Sequence, residues 1–393
     1  MDLNPPESEV FRPSAVRYDA ATMEISPMPS TGSPARCSGI LHAFVSFDWG
    51  EEVDLEMARR QLPAESHLLP RTPRTPPSVA YQCPPLRFQR PPLTVTLPVV
   101  GSSRFEAEMM LFDFGTVSLS AQLPFDLSAE DLTRLAGELA EPEFLIQAAR
   151  ENLRPVYEAL LPAITNPEWA DLSEEYFVFQ LVPGDPIPLP QELLARSPAW
   201  LAGLVRLEAG PLSDTEIADA LRLRLSYRPD DLIVTDWTAA VVVDRECAEV
   251  LETMAFANLQ LLEFRHIEQR LDSRLRVAYG LIAQLARSRW PIWRMYSRHL
   301  RDLGELKAEV HQMFGRASDA LTLVGDPYVA RLYQQLSVRF HLDQWSQNIR
   351  RSIDVLESIY QSVSDQAATY RTEALEIVVV VLILTEVLLS LVH

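Results

Sequence analysis

FEAEMMLFDFGTVSLSAQL, residues 105–123, is the stretch on which the fold turns. Apolar and β-branched residues on either side of an Asp-Phe-Gly corner read as two strands meeting at a turn near 113–115. Working outward, 40–47 upstream reads as another strand. Downstream, Ser128 opens a helix as its N-cap, with Glu130 and Asp131 in the first turn, where carboxylates suit the positive end of the helix dipole. EEYFVFQLV, 174–182, is strand-like through its aromatic and β-branched residues, and Gly184, Pro186, Pro188 and Pro190 end it. Ser213 opens a short helix to about 223. A hairpin then pairs 223–227 with 232–236 around a turn at 229–231, and 239–243 is a further strand.

From 246 the pattern turns helical, with breaks near 290–291 and 325–327. The fold class expected is therefore α+β. A mixed strand-and-helix module at 37–245 precedes a helical module at 246–373, and 374–393 is a C-terminal hydrophobic anchor. Residues 1–36 carry Pro and Ser without periodicity and are expected to be a disordered tail. The stretch 63–98 holds ten prolines, including the pairs Pro76-Pro77, Pro84-Pro85 and Pro91-Pro92. It reads as an extended excursion, since such a run propagates neither helix nor central strand.

At 393 residues and 47% hydrophobic content the chain has material for two ordinary cores. Its net charge of −19 argues against nonspecific coating of nucleic acid. Cys37, Cys83 and Cys247 are far apart and make no metal-binding spacing, which suits free thiols in a reducing compartment.

Pro327 suits the first turn of a long helix running to about 370. Along it, Val338, Leu342, Trp345, Ile349, Ile353, Leu356, Tyr360 and Val363 recur at steps of three and four, a heptad seam with one stutter. Such a seam must face another helix, either 246–276 of the same chain or a second protomer. The tail follows. Fourteen of the eighteen residues from 375 to 392 are Leu, Ile or Val, interrupted by Glu376, Thr385, Glu386 and Ser390. As a helix they reach about 27 Å, close to the roughly 30 Å of bilayer hydrocarbon. Glu386 near the middle costs about 2.5–3.5 kcal/mol, less than the summed gain of the aliphatics, among them Leu375, Leu382 and Leu389. The competing reading is a helix buried in an oligomer core. If the tail inserts, Glu386 favours a partner helix over lipid, so a homo-oligomer is expected. Arg350, Arg351 and Arg371 upstream, with no Lys or Arg after them, place the N-terminal bulk on the cytoplasmic side, with a bacterial inner membrane as the expected location. The opening MDLNPPESEV has no apolar secretory core.

Between 265 and 301 lie nine arginines against Glu268 and Asp272, a local charge of +7 in an acidic protein. Arg287, Arg289, Trp290, Trp293, Arg294 and Arg298 interleave cations and aromatics. That mixture fits an anionic membrane surface, RNA phosphates with unpaired bases, or simple neutralisation of the protein's own acids. No phosphate-binding glycine loop, zinc-protease helix or nucleophile elbow occurs. His266, His299 and His311 read as ordinary histidines, and Glu51 and Glu52 suggest no carboxylate pair. Asp230-Asp231 reads first as a turn. Cys247 opens a helix, a position that acidifies a thiol, but no histidine stands near it in sequence. No cofactor, metal or catalytic residue is assigned.

From about 106 onward the chain resembles the required-for-meiotic-nuclear-division family, a domain of unknown function. The resemblance rests on Phe112-Asp113-Phe114-Gly115, the hairpin segment at 230–234, and the helix bearing Ala255, Ala257, Leu259 and Glu263. Asp326-Pro327 and the tail with Glu376 and Glu386 complete it. It implies a membrane-bound tether, in one mitochondrial member serving ribosomes. The function expected is a noncatalytic, membrane-anchored scaffold that self-associates through the long helix and tail. Two alternatives remain: an enzyme with a site assembled from distant residues of the α+β module, and a tether touching RNA through 265–301. An enzyme should show a polar pocket with converging Asp, Glu, His or Arg in the α+β module, and a scaffold should show extended helical surfaces and self-association instead.

Overall fold

The computed structural model describes residues 34, 36–62, 67–68, 79–81, 83–184, 187–287, 301, 304, 321–323 and 327–392. The strands are β1 (Cys37–Asp48), β2 (Glu52–Val53), β3 (His67–Leu68), β4 (Val79–Tyr81), β5 (Leu86–Leu97), β6 (Gly101–Leu111) and β7 (Thr116–Leu127), then β8 (Ile164–Thr165), β9 (Ser173–Leu181), β10 (Arg224–Leu225), β11 (Leu232–Thr235), β12 (Ala239–Val243) and β13 (Leu321–Leu323). The helices are α1 (Leu55–Gln61), α2 (Ala129–Glu138), α3 (Glu143–Leu160), α4 (Pro190–Arg196) and α5 (Pro198–Arg206), followed by α6 (Asp214–Ala220), α7 (Ala248–Arg287), α8 (Pro327–Arg339) and α9 (Leu342–Val392). Among the described residues, nine strands form one sheet in the order β10-β11-β12-β9-β1-β7-β6-β5-β3. The β12–β9 pair is parallel and the neighbours around it are antiparallel.

Period-two alternation divides the core between the two faces of this sheet. Leu41, Ala43, Val45 and Phe47 of β1 point to one face, where α2, α3 and α5 cover them. Phe44 of β1 and Tyr176 and Val178 of β9 point to the other, where α7, α8 and α9 form the cover. The helical half of the chain is thus the second layer on the same sheet, and the two expected cores are its two sides.

The starts of α2 and α6 follow the sequence closely. The Ser128 hydroxyl accepts the Asp131 N–H at 3.0 Å, and Ser213 caps α6 in the same way. Two expectations need correction. The proline-rich excursion at 63–98 contains a twelve-residue strand, β5, pairing with β6. Its register shifts between Arg90 and Leu93, so Pro91 and Pro92 sit in a bulge where no ladder donor is required, close to the sheet edge. The remainder of that excursion, apart from 67–68, 79–81, 83–85 and 98, lies outside the described residues, as do 1–33.

The helix expected at 327–370 is two helices. His341 takes a left-handed φ of 53°, and the Phe340 ring anchors the corner against Tyr176 and Trp237 at 5.4 and 5.9 Å. Val338 falls on α8, is 53% exposed and belongs to no seam. Ion pairs tie α8 to the rest: Arg339 meets the buried Asp236 carboxylate at 2.6 Å, and Arg206 of α5 meets the same group at 2.8 Å.

Beyond the corner α9 is one helix of 51 residues. Leu342, Ile349, Ile353, Leu356 and Ile359 are buried in the same cluster as Leu259, Ile267 and Leu271 of α7, with Trp345 and Tyr360 half-buried at its margin. Past 375 the character changes. Val378, Val379, Val380, Val381, Leu382, Ile383 and Leu384 are each between 52% and 62% exposed. Among the described residues no helix is long and apolar enough to cross a membrane.

Candidate functional site

The second face of the sheet is polar at one end. Register places Asp48, the last residue of β1, directly across from Thr116, the first of β7, and sets Ser46 between Ser118 and Glu174. The corner before Thr116 is held by Gly115. Its φ is 93°, and a β-carbon there would lie 1.8 Å from the carbonyl oxygen of Gly50. The Trp49 N–H donates to the Gly115 carbonyl at 3.0 Å, which locks the two strand ends together. This is the physical content of the Phe112-Asp113-Phe114-Gly115 corner.

Helix α7 lies over this patch. Glu263, His266 and Arg270 follow one another at steps of three and four, so they share one stripe of the helix. The Thr116 hydroxyl donates to the Glu263 carboxylate. His266 Nε2 lies 3.7 Å from Asp48 Oδ1, and the Gly50 N–H donates to that same oxygen at 3.2 Å. Arg270 reaches Glu51 at 3.3 Å, and Arg265 pairs with Glu174. Asn258 Nδ2 donates to the Glu174 carbonyl at 3.1 Å. Asp48, Thr116, Glu174, Glu263 and His266 are all buried.

Burial dominates the electrostatics here. It pushes Asp48 up to about 8 despite the opposing pull of Arg270, and Glu174 up to about 7 despite Arg265. Glu263 is raised well above the carboxylate range, first by burial and then by the negative charge of Asp48. Burial and the neighbouring Arg270 lower His266 to about 4, so its ring is neutral at physiological pH. The arrangement holds carboxylic acids and a neutral imidazole together in a buried helix–sheet seam. Among the described residues no group of three or more His, Cys, Asp or Glu is arranged to hold a metal ion.

The sequence-selected residues fare differently. Ile349, Ile353 and Leu356 come together on α7, whereas the side chain of Val363 lies outside the described residues. Leu375, Glu376, Leu382 and Glu386 are exposed on α9, and the side chain of Leu389 is not described. Arg289, Trp290, Trp293, Arg294 and Arg298 lie outside the described residues, as does the side chain of Arg287. Of the same basic stretch, Arg265 and Arg270 turn inward onto Glu174 and Glu51. Asp231 is a turn residue, accepting the Tyr227 and Arg228 N–H groups at 2.7 and 2.9 Å. Cys247 precedes α7, but burial pushes its thiol up to about 12, opposite to the effect that a helix start has on a thiol. Asp48 has no place among the sequence candidates, Glu263 enters only through the family resemblance, and Glu51 and His266 have no role there. The three-and-four spacing of polar residues within the apolar run of α7 was the available signal, and Asp48 had none.

Residues 38–249 match the family described as "Uncharacterized protein MJ0711, N-terminal domain". This is more than half of the chain, and the chain belongs to that family. It is similar to uncharacterized protein MJ0711 of Methanocaldococcus jannaschii, 23% identical over 204 residues, which are 51% of this chain and 62% of that protein. No solved structure matches. The match includes the sheet and the acids it carries, Asp48 and Glu174, and ends just inside α7, before Glu263.

Proposed function

With a domain of this family as the premise, we propose that the protein is a noncatalytic scaffold. Its α/β body is held at a membrane by the far end of α9, and it self-associates there. One observation carries the reading. Seven consecutive aliphatic residues of α9, from Val378 to Leu384, are more than half exposed. At 3.6 residues per turn they cover nearly two turns, so every side of the helix is bare, not one face of it. Burying a Val, Leu or Ile side chain is worth about 1.5–3 kcal/mol, which makes such a surface a site of attachment. The composition of 375–392 favours lipid, with Glu386 turned to a second copy of the helix. The reading rests on this exposure and composition, not on a span found among the described residues.

The α7-facing side of α9 is already covered within the chain, so self-association belongs to the tail. The resemblance to the required-for-meiotic-nuclear-division family supports a tethering role of the same kind. Sodium carbonate extraction of membranes from cells making either the full chain or one stopped after Thr372 tests the proposal. The full chain stays in the pellet and the shortened chain is released. Release of both forms would overturn membrane attachment.

A further inference from the structure

We propose that the outer edge of β5 at 93–97 pairs antiparallel with the same segment of a second copy, joining two sheets into one. The segment is a palindrome. Leu93-Thr94-Val95-Thr96-Leu97 reads the same in both directions, so an antiparallel pair centred on Val95 sets like against like. Val95 meets Val95, each Thr94 meets a Thr96, and each Leu93 meets a Leu97. A two-fold contact demands such self-complementarity, because both copies offer the same patch. Opposed threonines are favourable cross-strand partners.

The edge is open where the palindrome lies. One side of this segment pairs with β6, while β3, on the other side of β5, meets it only at Phe88 and Gln89. Asn152 Nδ2 donates to the Pro91 carbonyl at 2.7 Å, and Glu138 accepts the Val99 N–H at 3.0 Å. Between those two side-chain caps, no backbone bond among the described residues joins the outer edge of 93–97. An unpaired edge is a template for another strand, and folds commonly guard it with charge, proline or a bulge. Here the guards stop short. Pro91 and Pro92 lie in the bulge before the segment, and no charged residue occurs from Pro91 to Ser103. Leu93, Val95 and Leu97 are already buried in the core of the first face, and Thr94 and Thr96 are exposed on the other. Pairing therefore needs no rearrangement of the core.

Charge selects a second copy as the occupant. Each chain carries −19, so two copies approach closely only across a neutral surface, and this strip is one. A basic partner would find no carboxylate within it. The two-fold also leaves room for β3. It sets the hairpin tip at 98–100 of one copy opposite 90–92 of the other, short of 88–89. This contact is separate from the one proposed for the tail, and neither requires the other.

Register-specific disulfide trapping tests the pairing on the full chain, in a Cys83→Ser background that removes the exposed native thiol. In the proposed pair, position 94 of one copy lies about 5 Å from position 96 of the other. Position 94 lies about 7–8 Å from its own counterpart, too far for an unstrained disulfide. Coexpressed Thr94→Cys and Thr96→Cys chains should therefore give about tenfold more disulfide-linked dimer on non-reducing gels than either variant alone. Equal yields from the mixture and the single variants, as chance collision or proximity held by the tail would give, would overturn the pairing. So would the absence of linked dimer from the mixture.

Discussion

Gly115 shows how much one residue positions. Its positive φ and its contact with Gly50 set Thr116 opposite Asp48, so the corner builds the acid cluster as well as the hairpin. Gly115→Ala should destabilise the fold by about 3 kcal/mol, from backbone strain and overlap together, measured as a lowered urea midpoint. An unchanged midpoint would mean the two loops part freely. At this scale the legibility of the sequence is uneven. Ser128, Ser213 and the turn at Asp231 were legible because a cap or an Asx turn is a local event between neighbours. Asp48 was not, since its meaning comes from Glu263, 215 positions away in the chain, and burial of both is a tertiary fact. His266 looked ordinary for the same reason.

Among the elements, strands with clear alternation or aromatic content are legible in the sequence: β9 lies within one residue of its expected bounds, whereas β1 starts three residues before and β7 ends four residues after theirs. The misreadings have physical causes. Pro91-Pro92 argued against a strand, yet a bulge near the sheet edge removes the need for their missing N–H groups. The seam from Val338 to Tyr360 kept its three-and-four rhythm across a corner, because periodicity does not register one left-handed residue at His341. The eighteen-residue helix α3 was not anticipated at all, with Pro155 inside it masking its amphipathic pattern. Helix α9 itself has two energetic regimes. Leu356→Ala, in the buried part, should cost about 2–5 kcal/mol in thermal or urea unfolding. Val380→Ala, in the exposed part, should stay within about 0.5 kcal/mol in detergent. Similar losses at both positions would mean the tail packs on the body.

For the whole molecule the acid cluster makes stability depend on pH in a defined direction. Asp48 and Glu174 keep their protons in the folded chain up to about 8 and about 7, while an unfolded carboxylate releases them near pH 4. The folded state therefore binds more protons, and stability falls as pH rises until the folded groups have titrated. His266 works the other way between about 4 and its ordinary 6.5, where the unfolded ring is charged and the folded one is not. The clear fall is thus between pH 6.5 and 8, on the order of 2 kcal/mol for Asp48 alone. Urea unfolding at pH 6.5 and 8.5 checks it, and coincident curves would contradict it. The continuity of α9 has a last consequence. From Ile359, the last of the described residues of α9 that is fully buried, to Leu375 the helix advances about 24 Å without a described break. It therefore acts as a ruler and also as a dial, since each added residue lengthens the standoff by about 1.5 Å and rotates the body by about 100° against whatever grips the end. Standoff and heading cannot be tuned separately, and an insertion of seven residues nearly restores the heading that one residue destroys.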